Sequence, residues 1–281
     1  SLGYIVGPSV DLTNSDLSGV DVSGINLSGA TFYNSKSGKV AHSPLTMLPT
    51  NYGFIGDYIV GPNVNLSMVD FSGADLRYTN LTNVNFGSAN LYNVKSGNIT
   101  GTPAQLPPTF SFVSGFIIGP GTDLSGADLS GGNLGGCNIN GADLTNASFY
   151  NVLSGGVQGA PRLPLTAPYR ITTNGYIVGP SVNLNGANFV SINMQGLTLT
   201  NAIMTNANFE NAKFGGNIGV PRILTPPYIH VQTELSGGYV VGPRIDLSSA
   251  NFTNANIATA DLSGANLANA VFYRTRSEKM N

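Results

Sequence analysis

Apolar residues fall five positions apart along much of the chain. Leu12, Leu17, Val22, Leu27 and Phe32 form the first run, and runs from Leu66 to Leu91, Leu124 to Phe149, Leu184 to Phe214 and Leu247 to Phe272 follow. Together they make thirty units, and the residue two before each apolar one is small or short, Ala in fifteen of them. Between the two stands a polar residue, usually Asp or Asn, so the unit reads Ala-(Asp/Asn)-Leu-(Ser/Thr/Asn)-(Gly/Asn). A period of five fits neither regular element. On an α-helix a step of five advances about 140°, which winds the Leu column around the axis. On a straight strand, odd steps send successive Leu residues to opposite faces. The pattern becomes consistent if the chain turns a corner once per unit. The small residue and the Leu then point inward from a short extended side, and the Asp or Asn points outward. Gly or Asn at the last position supplies the φ > 0 that such a corner needs.

A longer repeat overlies the first. Gly-Tyr-Ile-Val-Gly-Pro at 3–8 recurs as Tyr58 to Pro62, Phe116 to Pro120, Tyr176 to Pro180 and Tyr239 to Pro243. These motifs open five modules, 1–32, 58–91, 116–149, 176–214 and 239–272, joined by connectors 33–57, 92–115, 150–175 and 215–238. From motif aromatic to last tract position, the modules differ in length by whole fives; any other increment would turn every later inward side chain outward. The connectors repeat as well: Tyr33 to Gly38 matches Tyr92 to Gly97 and Tyr150 to Gly155, and a Leu-Pro pair follows at 48–49, 106–107 and 163–164. Unstructured loops of this length are uncommon in compact domains. The connectors are therefore expected to be folded, as irregular coils or as hairpins, with Pro103, Pro107, Pro108 and Pro161 at edges or corners. The expectation is one continuous domain over 1–281.

These units resemble the pentapeptide-repeat family, as in Ala127-Asp128-Leu129-Ser130-Gly131 and Ala265-Asn266-Leu267-Ala268-Asn269. The resemblance implies an all-β fold, a right-handed quadrilateral parallel β-helix of twenty residues per coil, here a solenoid interrupted by Pro-rich connectors. Such a coil sets Phe189 over Phe209 and Phe252 over Phe272, with ring centroids roughly 4.5–7 Å apart. The resemblance also implies that one functional type is possible in which the protein mimics DNA and binds a type II topoisomerase.

Composition narrows the chemistry. Charged residues are 9% of the chain, and 12 basic against 14 acidic residues leave a net charge of −2. That balance argues against a nucleic-acid partner, which needs a basic face, and it supplies no strongly negative field for DNA mimicry. No apolar run approaches the ~18 residues of a membrane span, and no secretory leader pattern is visible. A single cysteine, Cys137, cannot form an internal disulfide and takes a small inward slot between Gly132 and Ala142. Ten of the eleven Asp residues occupy the outward slot, where Asn is nearly interchangeable, so corner hydrogen bonding is their expected role. Asp123 and Asp143, twenty apart, would stack about 4.8 Å from each other, a spacing open to a cation but without further ligands nearby. His42 and His230 lie in different connectors and are expected at the surface. No nucleophile elbow or P-loop is present. Thr200 has no Thr twenty residues away and Thr205 has only Thr225, in a connector, too few for a Thr ladder of the ice-binding kind.

No catalytic, cofactor-binding or metal-binding residue is assigned, no cofactor is expected, and the chain is read as non-enzymatic. The favoured role is a structural or interaction scaffold: a rigid, neutral rod that binds protein partners or itself, stacking end to end into a filament or forming part of a surface assembly. An extracellular or particle-surface location fits that role. Two alternatives stand beside it, a regulatory protein-binding module and an outer-wall glycan-binding module using Tyr33, Tyr92, Tyr150 and Tyr273. For a filament, the first coil is expected to be covered by something outside this chain, since Ser1 and Leu2 are too short to cap it.

Overall fold

The computed structural model of the chain describes residues 7–165, 168–233 and 237–278. Ser1 and Leu2, and most of the first aromatic motif, lie outside the described residues. The chain forms two compact units, one made of 1–125, 137–143 and 159–162, the other of 126–136, 144–158 and 163–281. Among the described residues every regular element is a short strand or an isolated bridge. No helix there is long and apolar enough to cross a membrane.

In the first unit Asp11, Asp16 and Asp21 form parallel bridges with Thr31, Lys36 and Ala41, each twenty residues on, and Asn26 bridges Met47, twenty-one residues on. One turn of chain thus carries four parallel ladders. Each side is held from both flanks of its outward residue: the Leu12 N–H donates to the Thr31 carbonyl and the Thr31 N–H to the Val10 carbonyl, both at 3.0 Å. At the corner the Ser15 N–H returns to the Leu12 carbonyl at 3.0 Å, with Asn14 at φ 59°. A left-handed residue third in a four-residue turn is the type II arrangement, which explains why Gly and Asn dominate this position. In the second unit the same step joins Asn188 to Asn208, Asn193 to Lys213 and Thr198 to Ile218. The inward residues Leu76, Leu81, Leu129 and Leu134 are fully buried. The aromatic columns form as the sequence predicts: Phe189 lies 5.8 Å from Phe209 and Phe252 lies 5.4 Å from Phe272, both pairs stacked.

Each connector is part coil and part hairpin. Lys36 bridges Asn65, Lys95 bridges Asp123, Leu153 bridges Asn183 and Lys213 bridges Asp246. Each connector therefore completes one oversized coil, whose surplus residues fold into an antiparallel hairpin. The hairpin strands are β1 (Gly53–Ile55) with β2 (Tyr58–Val60), β3 (Ser111–Val113) with β4 (Phe116–Ile118), and β5 (Arg170–Ile171) with β6 (Ile177–Val178). A lone parallel pair, β7 (Ile203–Met204) with β8 (Ile223–Leu224), precedes the last hairpin, β9 (Ile229–Thr233) with β10 (Gly237–Val241). The recurring aromatic-Ile-Val motif is thus the second hairpin strand, and the sequence boundaries at 57/58 and 115/116 fall at or within the hairpin turns. In the second of these, Ser114 and Gly115 both have φ > 0, at 50° and 83°, the I′ geometry that matches strand twist.

The Gly of the Gly-Pro pair has a steric cause that the sequence alone does not show. A Cβ on Gly61, Gly119, Gly179 or Gly242 would overlap the ring of Tyr52, Phe110, Tyr169 or Tyr228 respectively. Three of these connector rings also sit on core Phe residues, Tyr52 on Phe32 at 5.2 Å, Tyr169 on Phe149 at 4.8 Å and Tyr228 on Phe209 at 5.0 Å. Each connector thus lays an aromatic plate between the core and the following hairpin strand.

The inward Leu12, Leu17, Val22 and Leu27 are no more than 2% exposed. In the last coil, by contrast, the inward Phe272 is 40% exposed.

Leu129→Ala should cost about 2–5 kcal/mol, the range for emptying a packed core position. Asp128→Asn should cost little, because Asn fills the same slot elsewhere. Gly119→Ala should cost about 1–3 kcal/mol through overpacking against Phe110. Urea denaturation of the three variants checks these values; equal losses for Leu129 and Asp128 would reverse the assignment of inside and outside.

Candidate functional site

The outward slots hold almost all the side chains able to do acid–base chemistry, and the fold uses them locally. At least nine of the ten outward Asp residues accept the backbone N–H two residues on, as in Thr13 to Asp11 at 3.0 Å and Ser72 to Asp70 at 3.0 Å. Asn26, Asn133, Asn193 and Asn256 make the same bond. Further bonds run between coils: the Thr31 hydroxyl donates to Asp11, the Asn90 amide to Asp70 and the Asn266 amide to Asp246. These donors favour the ionised form. Asp11 is pulled down to about 2 by the Thr13 hydroxyl first, then by the Thr31 hydroxyl and the Thr13 amide. Asp16, Asp21 and Asp128 are lowered mainly by the hydroxyls of Ser18, Ser23 and Ser130.

Asp143, the tenth, is ion-paired with Arg162 at 3.1 Å. It belongs to a ladder in the first unit that runs Asp75, Lys95, Asp123, Asp143, Arg162. Lys95 lies 3.6 Å from Asp123. Burial opposes ionisation of Asp123, but the Ser125 hydroxyl and amide, with Lys95, outweigh it and hold the carboxyl below its usual value. The two stacked carboxylates therefore form the middle of a column flanked by cations at both ends. Among the described residues no group of three or more His, Cys, Asp or Glu is placed to hold a metal ion.

The remaining candidates separate. Cys137 is buried, and burial pushes its thiol pKa up, so it acts as a small apolar filler. His42 is exposed as expected, with its ring stacked on Phe54 at 3.8 Å. His230 is not at the surface: it is half-buried on β9, its Nε2 has no hydrogen-bond partner among the described residues, and burial pushes its pKa down. The cause is the hairpin, which folds the ring against Gly238, where a Cβ would overlap it.

Tyr33, Tyr92, Tyr150 and Tyr273 are all exposed. Each of the first three precedes an Asn whose N–H binds the residue after the next module's Pro: Asn34 to Asn63, Asn93 to Gly121 and Asn151 to Ser181. The register thus sets Tyr33 beside Pro62, Tyr92 beside Pro120 and Tyr150 beside Pro180. Within the first unit Tyr33 and Tyr92 stand on different corner columns, one passing through Asn14 and Asn63, the other through Gly73 and Gly121. In the second unit Tyr150 and Tyr273 are separated by several coils.

Concavities lie on the outer wall. In the first unit one of about 420 Å³ runs between the β1–β2 hairpin and Asp70 to Asp75. In the second unit one of about 250 Å³ is lined by Tyr150, Asn151, Ser181, Asn201, Ile203 and Arg222. Residue types alone do not single out this second group, although Ser181 and Asn201 stand twenty apart and share a register position.

A family model described as pentapeptide repeats matches eight copies at residues 9–36, 63–95, 121–152, 181–216 and 245–276, more than half of the chain. None of the curated proteins matches. Solved structures similar to it include HetL, a pentapeptide repeat protein involved in heterocyst differentiation regulation in the cyanobacterium Nostoc sp. It is 20% identical over 95% of this chain and 87% of that one, with a TM-score of 0.17. Full-length QnrB1, a plasmid-mediated fluoroquinolone resistance protein, is 14% identical over 95% of this chain and 93% of that one, with a TM-score of 0.15.

Because the outward carboxylates have lower pKa values folded than unfolded, their contribution to stability is complete above the unfolded value near 4. It is lost as pH falls through the folded values, near 2 for Asp11. Melting followed by circular dichroism should therefore show a lower Tm at pH 2.5 than at pH 5. A variant with Asp11, Asp16 and Asp21 changed to Asn should show a flatter acid limb than the parent.

Proposed function

The chain belongs to the pentapeptide-repeat family, and from that premise we propose that it is a non-enzymatic interaction scaffold built on the family's right-handed quadrilateral coil. The observation that carries this reading is the local use of the polar wall: nine outward carboxylates accept corner hydrogen bonds and the tenth is ion-paired. Side chains committed to holding the coil leave a surface that presents shape and hydrogen-bonding groups. The five modules serve as one scaffold, with protein partners. DNA mimicry is disfavoured, because Lys95 and Arg162 flank Asp123 and Asp143 and break up the negative field of that column.

Self-association belongs to the same reading, whether as a filament or as part of a surface assembly. It is favoured by Phe272, an inward residue left exposed on the last described coil. Sedimentation velocity over a wide concentration range tests it. The expected result is reversible, concentration-dependent association that Phe272→Asp weakens while the circular dichroism spectrum is unchanged. A monomer at every concentration, or association indifferent to Phe272, would remove the self-assembling form of the proposal.

A further inference from the structure

The 250 Å³ concavity of the second unit is built along one corner of successive coils. The Asn151 N–H donates to the Ser181 carbonyl at 2.7 Å, the Ser181 N–H to Thr200 at 2.8 Å, and the Asn201 N–H to Val220 at 2.8 Å. Asn151, Ser181 and Asn201 therefore stack in one column, all in the left-handed conformation at φ 55°, 59° and 57°. The residue twenty beyond Asn201 is Pro221, whose ring fixes φ near −65° and forbids that conformation. The corner is lost there, and the chain passes directly through Arg222, whose N–H binds the Ala202 carbonyl, into β8. Arg222 thereby lines one part of the concavity and Tyr150, 57% exposed, another. Ile203 occupies an outward slot and gives the wall an apolar patch where most sides carry Asp or Asn.

This set of groups has a definite chemistry. An exposed aromatic ring offers a flat apolar face. Two amides and a hydroxyl offer donors and acceptors, and the Asn183 amide already holds the Asn151 Oδ1 at 3.1 Å, which aims the Asn151 NH₂ elsewhere. The Arg222 guanidinium has no ion pair among the described residues and presents a planar fork suited to a carboxylate. No carboxylate lines the concavity, so it does not suit a cation. A bare anion would leave the ring and the apolar patch unused, and a neutral sugar would leave Arg222 unused.

We propose that this corner binds a carboxylated sugar ring, a hexuronate unit, with Tyr150 against the ring face, Asn151, Ser181 and Asn201 on its hydroxyls and Arg222 on its carboxylate. The site goes beyond the scaffold role and does not depend on it. The test is titration of the full ¹⁵N-labelled chain with D-glucuronate, with D-glucose and acetate as separate arms, followed by amide chemical shifts. Glucuronate should produce saturable shifts at Asn151, Ser181, Asn201 and Arg222, with glucose and acetate about tenfold weaker or more. Arg222→Gln should bring glucuronate down to the level of glucose, and Tyr150→Ala should weaken both sugars. Both side chains are on the surface, and unchanged amide positions elsewhere verify folding in each variant. Absence of shifts at this corner, or acetate binding as tightly as glucuronate, overturns the proposal.

Discussion

Each side of the coil is tied to the next by backbone hydrogen bonds placed on either side of one outward residue, and that bond pair fixes everything else. Because Leu12 binds Thr31 and Thr31 binds Val10, the residue between must point out and its two neighbours in. A shift of one residue would exchange the two sets, putting Asp into the core and Leu into water. The corner residues follow from the same constraint. The chain must turn within two residues after each inward Leu or Phe, and the third residue of that turn is left-handed, so Gly, Asn or another tolerant residue is required there.

The parts of the fold that were legible in the sequence are those governed by this register. The inward Leu and Phe, the outward Asp and the Phe189–Phe209 and Phe252–Phe272 stacks all follow from counting in fives and twenties. The hairpins do not follow from such counting: two-residue links such as Gly56-Asp57 and Ser114-Gly115 are turn signals, but antiparallel pairing obeys no period, so irregular coil and hairpin both stay open for the connectors. The glycine of the Gly-Pro pair was visible as a repeat, but its cause was not, since the ring it accommodates comes from a connector residue nine or more positions earlier. His230 was misplaced for the same reason: only the pairing of β9 with β10 shows that its ring turns inward.

The wall shows the same division. Ser181 and Asn201 share a column by simple arithmetic, but Tyr150 and Ser181 meet only because the coil between them carries a hairpin and is ten residues longer than a regular twenty-residue coil. Arg222 joins them because Pro221 cannot form the corner that Gly or Asn forms elsewhere. Departures from the repeat thus mark where the wall acquires groups not consumed in holding it, while the regular units spend their carboxylates on their own corners.

The central claim, that the inward phase of the five-residue unit holds the fold, is tested most directly by insertion. Duplicating residues 127–131 adds one whole side and keeps every later Leu facing inward, whereas a single Gly after Gly131 puts every later unit of that tract out of phase. The measurement is the Tm of each variant beside the parent. The account predicts a cooperative transition for the duplication at a Tm well above that of the single-residue insertion, which should lose cooperative melting or fall far below both. Equal tolerance of the two insertions, or better tolerance of the single glycine, would contradict it.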